Sequence, residues 1–257
     1  MEGDAEFQKG FVVEALRIVE EADRQGIILR LMGAIAIRLH SPDFAFLHEK
    51  LGRKITDIDF VAYEKQSTKI EKFFESQGYR RKLLSFSFAM GGRMIFLHES
   101  SGRHVDVFLD RLEMCHKIEF KKRLEVDTPT IPLAELLLQK MQIVKISEKD
   151  IIDTTMLIIE HDIGDTDDNI INVVYISDIL SKEWGFYYTV TTNLRKVASL
   201  AQEFDTLEEE DKHTIAGRIE KILELLESQP KSRGWKMRAR VGTSKKWYKD
   251  VDTPGVQ

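Results

Sequence analysis

Two aspartates at alternate positions in an apolar segment are the first residues whose types and spacing could do chemistry. Asp57 and Asp59 lie in DIDFVAY, where apolar and polar residues alternate as in a strand. Both side chains would then point to the same face of the strand, about 7 Å apart along it. Asp106 lies in HVDVFLD between two valines that would face the other way. If the two strands are neighbours, the three carboxylates converge.

Three converging carboxylates repel one another unless a cation lies between them. A site of several carboxylate oxygens suits Mg²⁺ or Mn²⁺. The alternative interpretation is that these aspartates only end strands or form turns. Against it, aspartate is depleted from strand interiors, and here two share one face of one strand. Asp110 is a rival for the third position, but it falls where the strand should end.

Gly33 is the second element of the candidate site. The run IILRLM before it reads as a strand, and AIAIRLH after it reads as the start of a helix. A strand that passes through glycine directly into a helix presents the helix N-terminus, which favours phosphate. On its own such a glycine is usually only a turn.

Local patterns place further elements around these residues. An amphipathic helix is predicted over 4–25, a strand over 27–32, an irregular stretch over 41–56 and a helix over 67–77. Strands are then predicted around 79–88, 93–98 and 104–109 as a small antiparallel meander. After TPTIPL, strand signals nearly vanish, and helices are predicted over 132–146 and after capping pairs at Ser147–Asp150 and Thr206–Glu209.

The predicted fold class is therefore α+β: a small mixed or antiparallel sheet with flanking helices, followed by a helical C-terminal unit. We expect an α/β domain over 1–127, a helical domain over 132–229 and a basic, aromatic tail over 230–257.

The motifs together resemble the DNA polymerase β-like nucleotidyltransferase superfamily. The resemblance runs through LMGAIAIRL, RKITDIDF and HVDVFLD, and covers roughly residues 27 to 160. It is closest to the AbiEii-type minimal nucleotidyltransferases, in which Arg and Thr or Ser precede Asp-x-Asp, as Arg53 and Thr56 do here. In that branch, a helix that carries a Lys follows, and then a Lys-Asp-x-x-Asp pattern. LLLQKMQIVKISEKDIID would supply both, with Lys140 as the lysine of the helix.

This resemblance implies a nucleotidyltransferase fold and a two-metal mechanism that moves a nucleoside monophosphate from an NTP to a hydroxyl. Asp57 and Asp59 would hold the ion on the β- and γ-phosphates, and Asp106 would join them around a second ion and take the acceptor proton. Gly33, Ala34, Thr56 and Lys140 would contact the nucleotide. The alternative for Lys140 is a solvated helix lysine, and Asp150 and Asp153 are expected to be structural.

Two departures from the family pattern affect the expected nucleotide contacts, whereas the aspartates Asp57, Asp59 and Asp106 are all in place. Ala34 stands where Gly or Ser is usual, which removes a hydroxyl contact to phosphate. The segment between Gly33 and Asp57 is longer than typical, and the extra length is assigned to residues 41–52.

Residues 231–249 contain eight Lys or Arg and no acid, with Trp235, Trp247 and Tyr248 between them. Subtracting these eight charges from the net −5 leaves −13 for the rest of the chain. Basic and aromatic residues together suit RNA, and tRNA would be a plausible acceptor. The alternatives are a solvated tail or a segment that packs on its own chain.

Composition excludes several classes of protein. The single Cys115 rules out an internal disulfide or a thiolate zinc cluster. MEGDAEFQKG does not read as a signal peptide, and no apolar run approaches a bilayer span, so a cytoplasmic location and no membrane partner are expected. Two competing functions are a non-catalytic nucleotide- or RNA-binding module on the same fold, and an RNA-binding protein acting through its tail. AbiEii-type relatives also raise a toxin role with an antitoxin partner.

Overall fold

The computed structural model describes residues 2–82 and 92–251, with side chains from residue 8 onward. Contacts divide the chain into two compact units. The first comprises Met1–His40, Gly52–Leu112 and Ile118–Pro132, and the second comprises Ser41–Leu51, Glu113–Lys117 and Leu133–Gln257. The main division thus falls within TPTIPL, and two short segments of the N-terminal half belong with the helical unit. The domain limits 1–127, 132–229 and 230–257 remain a proposal.

The first unit combines helices and strands. Its elements are α1 (Glu2–Arg24), β1 (Leu29–Met32), α2 (Gly33–His40), β2 (Asp57–Ala62), α4 (Ser67–Ser76), β3 (Tyr79–Lys82), β4 (Arg93–His98) and β5 (His104–Leu109). The strands β4 and β5 have the predicted bounds. Of the strand predicted over 79–88, only β3 falls on described residues, and the rest lies outside them.

The sheet has five strands in the order β1-β2-β5-β4-β3. The pairs β1–β2, β5–β4 and β4–β3 are antiparallel, whereas β2–β5 is parallel. The predicted meander of β3, β4 and β5 is therefore observed. Its last strand, β5, also pairs with β2, so β2 and β5 are neighbours in the interior of the sheet.

One face of this sheet is the core of the first unit. Ile58, Phe60, Val105 and Val107, at alternate positions of β2 and β5, are completely buried. The helix α4 contributes Phe74, whose ring stacks on Phe96 of β4 with centroids 4.4 Å apart. Because side chains alternate along a strand, the residues between these apolar ones point to the opposite face.

The second unit is helical. Its helices are α3 (Phe46–Lys50), α5 (Leu133–Met141), α6 (Glu148–Glu160), α7 (Val173–Leu180), α8 (Trp184–Leu200), α9 (Glu209–Ser228) and α10 (Arg233–Val241). Two two-residue strands, Ile163–Gly164 and Ile171–Asn172, pair in parallel, and Arg111–Glu113 pairs with Lys117–Glu119 in a separate ribbon. The predicted fold class, a mixed sheet with flanking helices and a helical C-terminal unit, is confirmed.

Three local expectations need correction. The stretch 41–56 is not wholly irregular, since it contains α3. The helix predicted over 132–146 ends at Met141. The cap of α9 is formed by Glu208 with Asp211 and not by Thr206 with Glu209, whereas Ser147 and Asp150 do form the predicted capping box of α6.

None of the helices among the described residues is both long enough and apolar enough to cross a bilayer.

Candidate metal and phosphate site

Asp57 and Asp59 start the central strand β2 on the face opposite the core. Asp57 is exposed and Asp59 is half-buried, while Ile58 between them is fully buried. The strand keeps this register because a shift of one residue would put its buried apolar set into solvent. The local alternation therefore fixes both carboxylates on one side of the sheet.

Asp106 of β5 lies directly across from Asp59. In the parallel pair β2–β5, Asp59 is the partner of Asp106, and paired residues share a face. Asp106 is buried, with 7% of its surface exposed. One carboxylate oxygen from each of the three aspartates lies within 4.8 Å of the others. The predicted convergence of Asp57, Asp59 and Asp106 is thus present in the structure.

The two oxygens of Asp106 have different surroundings. Oδ2 accepts a hydrogen bond of 2.6 Å from Nη2 of Arg93 on the neighbouring strand β4. Oδ1 is buried and has no hydrogen-bond partner among the described residues. A buried carboxylate oxygen with no partner is costly. This oxygen is therefore a free ligand position in a group that is otherwise held in place.

Arg93 is a site residue that the sequence patterns did not single out. It begins the strand β4, RMIFLH, whose four middle residues are apolar, at the position paired with Phe108. Phe108 is two residues from Asp106, so Arg93 is on the same face as the acid. Its guanidinium also lies 5.0 Å from the centroid of the Phe108 ring. An arginine directly before the apolar run MIFL was the available signal.

Gly33 packs directly against the side chain of Asp59. It is buried, has φ +72°, and is the first residue of α2. A Cβ at this position would lie 2.5 Å from Oδ2 of Asp59. The close approach and the positive φ both require glycine. The carboxylate of Asp59 therefore lies beside the N-terminus of α2, where the helix dipole favours negative charge.

The remaining predicted contacts of the first unit lie around this centre. Ala34 follows Gly33 in the first turn of α2 and is half-buried. Thr56 is exposed, and its hydroxyl donates a 3.3 Å hydrogen bond to Oδ1 of Asp57. Asp110, the rival third acid, has φ +61° and accepts a hydrogen bond from the backbone N–H of Glu64. Asp110 thus caps a turn, and the structure groups Asp106 with the pair on β2.

Lys140 lies in the second unit, on α5. It is buried, and its Nζ lies 2.7 Å from Oδ2 of Asp153 and 3.2 Å from Oδ1 of Asp150. Asp153 is fully buried and also contacts Nε2 of His48 at 2.8 Å. The charge of Lys140 is therefore compensated within its own unit, and its contact with nucleotide stays a prediction.

The three acids fit a divalent cation in donor type and spacing. The donor set consists of carboxylate oxygens alone, which hard cations such as Mg²⁺ prefer. Asp106 Oδ1 is an orphaned buried acceptor, and Asp57 is open to solvent, so an ion has both a ligand and a route of entry. Among the described residues, no other group of three or more acids, histidines or cysteines meets this spacing.

No protein-family model matches this sequence, and none of the curated proteins does. The solved structures that are similar to it include the following two. One is the antibiotic-resistance factor ANT(2'')-Ia, at 12% identity and a TM-score of 0.40, covering 79% of this chain and 100% of that one. The other is an antigenic nucleotidyltransferase-like protein from Paracoccidioides brasiliensis, at 15% identity and a TM-score of 0.40, covering 86% and 94%. At such low likeness, the functional proposal rests on the residues of this chain.

Proposed function

We propose that this protein is a metal-dependent nucleotidyltransferase that moves a nucleoside monophosphate from an NTP to a hydroxyl of an acceptor. One observation carries the proposal: the carboxylates of Asp57, Asp59 and Asp106 come within 4.8 Å of one another. Their place beside Gly33 at the N-terminus of α2 supports it, because that terminus suits the phosphates of the donor nucleotide. The resemblance in LMGAIAIRL, RKITDIDF and HVDVFLD agrees with it.

Asp57, Asp59 and Asp106 would hold the cation, which supplies positive charge against the phosphates and the leaving pyrophosphate. In the transfer, the acceptor oxygen bonds to the α-phosphorus while the bond from that phosphorus to pyrophosphate breaks. The acceptor proton goes to the Asp106 carboxylate. Arg93 keeps the Asp106 carboxylate oriented through Oδ2.

The finer parts of the proposal follow the resemblance. The ion is Mg²⁺ or Mn²⁺, and Gly33, Ala34, Thr56 and Lys140 contact the NTP. The acceptor is RNA such as tRNA, a protein side chain or a small molecule. The likeness to AbiEii-type enzymes extends this to a cytoplasmic toxin that an antitoxin protein holds in check.

Transfer of label from an NTP labelled at the α-phosphate tests the proposal. The purified chain is incubated with each NTP, Mg²⁺ or Mn²⁺, and panels of RNA, protein and aminoglycosides. We expect labelled acceptor with the native chain and at least a hundredfold slower labelling with Asp57→Asn plus Asp59→Asn, about 2.7 kcal/mol of barrier. Undiminished labelling by this double variant would refute the assigned site.

A matched control variant removes the same number of negative charges outside the candidate site. Asp165→Asn plus Asp168→Asn removes two carboxylates that are exposed in the second unit, and it should label at the native rate. Metal-dependent NTP binding by the native chain without label in any acceptor would favour the non-catalytic binding module instead.

A further inference from the structure

The basic segment, residues 231–249, is not a free tail. Half of its cations are engaged inside the second unit. Lys231 donates to the backbone oxygen of Gln229 at 2.7 Å, and Arg238 donates to that of Gly242 at 2.6 Å. Lys246 pairs with Asp250, and Lys249 pairs with Glu113. The pair with Glu113 ties the segment to the rest of the second unit, and the other three contacts lie within residues 229–250.

The tryptophans of the basic segment are also used internally. Trp235 meets the ring of Tyr187 edge-on, with centroids 5.3 Å apart. Trp247 contacts the rings of Trp184 and Tyr188 of α8, and its Nε1 donates to Thr189 Oγ1 at 3.1 Å. Stacking of these two indoles on unpaired bases, which the sequence favoured, would require the segment to leave α8.

The other four cations of the segment are exposed to solvent. Arg233, Lys236, Arg240 and Lys245 are exposed, and no side-chain partner of theirs lies among the described residues. Three of them lie on α10 at spacings of three and four, which puts them on one helix face within about 10 Å along the axis. The opposite face, with Trp235 and Arg238, is turned towards α8.

We propose that this outer face of α10, with Arg233, Lys236 and Arg240, docks the phosphate backbone of an RNA. Positive charge spaced along one face complements a chain of phosphates, and no acid of 231–249 offsets it. The exposed face carries Met237 and Val241 besides the cations, and neither reads base edges, so binding depends on phosphates and not on sequence. The choice of RNA rests on the proposed function, since RNA offers acceptor hydroxyls.

An anionic membrane is the main competing occupant, and the composition of α10 argues against it. A helix that lies in a bilayer interface needs a broad apolar face. On α10 the aromatic side chain, Trp235, packs inward, and the outer face offers only Met237 and Val241, which are 67% and 40% exposed.

Fluorescence anisotropy with the full chain tests the docking face separately from catalysis. A labelled single-stranded RNA of about 20 nucleotides, longer than the roughly 4–16 nucleotides that such binding sites occupy, is titrated without NTP or divalent ion, in the Asp57→Asn plus Asp59→Asn background. Arg233→Gln, Lys236→Gln and Arg240→Gln are combined. We expect at least tenfold weaker binding at about 0.1 M salt, and a salt slope shallower by about 2, from the loss of three phosphate contacts.

The control removes the same charge elsewhere: Lys69→Gln, Lys72→Gln and Lys196→Gln are exposed substitutions that should change RNA affinity less than twofold. Equal loss in both triple variants, or native affinity in the α10 variant, overturns the proposal. Tighter binding to DNA of the same sequence, or to phosphatidylserine vesicles, overturns it too. Because binding is measured without turnover, failed nucleotidyl transfer would leave this result intact, and the reverse also holds.

Discussion

A Cβ on Gly33 would lie 2.5 Å from the Oδ2 atom of Asp59. The two residues are far apart in sequence, but antiparallel pairing sets Met32 opposite Asp59, and Gly33 follows Met32 directly. The first residue of α2 and the middle acid of the site are therefore packed against each other. Any side chain at position 33 must displace the carboxylate.

Gly33→Ala should consequently impair the site far more than the fold. The alanine must adopt φ +72°, which costs about 1 to 2 kcal/mol of stability. Its methyl group also pushes the Asp59 carboxylate away from Asp57 and Asp106, and a shift near 1 Å at a reacting centre costs roughly a hundredfold in rate. Thermal unfolding and the label-transfer rate measure the two effects separately.

Gly26→Ala is the matched control for this substitution. Gly26 has φ +69°, and nothing lies within 4 Å of the position that its methyl group would take. The variant should lose similar stability and keep the native transfer rate. If both variants lose activity in proportion to stability, the contact between Gly33 and Asp59 has no specific role.

Arg93→Gln should destabilise the protein mainly when no divalent ion is present. It removes the partner of Asp106 Oδ2 and leaves a carboxylate that is only 10% exposed without its counter-charge. Removing one partner of a largely buried ion pair costs about 3 kcal/mol. A bound cation would replace part of the lost charge, so Mg²⁺ should raise the melting temperature more in the variant than in the native chain.

Arg81→Gln, on the adjacent strand β3, removes an ion pair of 2.9 Å with Glu71 whose side chains are 39% and 33% exposed. Such a pair contributes about 1 kcal/mol or less, so this control should unfold nearly as the native chain does. A Mg²⁺ effect of equal size in Arg93→Gln, Arg81→Gln and the native chain would argue against an ion at Asp106.

The local pattern of the sequence was enough to place Asp57 and Asp59 on one strand face and Asp106 in a strand of its own. It could not establish that β2 and β5 pair, because β3 and β4 lie between them in the chain and β5 joins the sheet between β2 and β4. The opposition of Asp59 and Asp106 is a non-local register that both hydrophobic faces must satisfy together. Periodicity alone shows only one strand at a time.

Arg93 and the basic segment show a second limit: a sequence pattern gives the type of a residue but not the side chains that it contacts. Composition identified the charges and the aromatic rings of 231–249, but not that Trp235 and Trp247 pack against α8. Whether such a ring meets solvent or its own chain depends on the partner surface, here Tyr187 and Tyr188. The cap at Glu208 was missed because glutamate is not a preferred N-cap residue.

Lys140→Met should destabilise the second unit. It leaves Asp153, which is completely buried, beside His48 but without the ammonium at 2.7 Å. Removing one partner of a buried ion pair costs about 3 to 5 kcal/mol. Urea unfolding measures this loss, and the KM for NTP, measured on the folded fraction, reports the proposed phosphate contact separately.

Lys149→Met provides the comparison, because Lys149 is an exposed lysine in the first turn of α6. It should change neither the free energy of unfolding nor the KM. If Lys140→Met were as stable as the native chain and only raised the KM, the lysine would serve the nucleotide and the ion pair with Asp153 would carry little stability.

The pH dependence of stability should carry a contribution from His116. Burial lowers the pKa of this histidine from 6.5 to about 4. Its ring stacks on Phe186, with centroids 4.9 Å apart, and Nε2 lies 2.8 Å from Thr189 Oγ1. The imidazole is thus held neutral in the folded second unit.

Because the folded pKa is depressed, the unfolded chain binds a proton below pH 6.5 that the folded chain takes up only near pH 4. The contribution of His116 to the free energy of unfolding is therefore complete above pH 6.5, and it is lost as the pH falls from 6.5 to about 4. The partly exposed ring is screened, so we expect a loss of about 2 kcal/mol by pH 4. His116→Phe keeps the stacking and removes the titration, so its unfolding free energy should fall less steeply between pH 6.5 and 4.

His213→Gln removes an exposed histidine elsewhere in the second unit and serves as the comparison variant. Comparing slopes instead of absolute stabilities cancels the constant cost of losing the contact with Thr189, and carboxylates that titrate in the same window contribute equally to all three chains. Parallel curves for the native chain and His116→Phe would mean that the ring is solvated enough to accept a proton in the folded state.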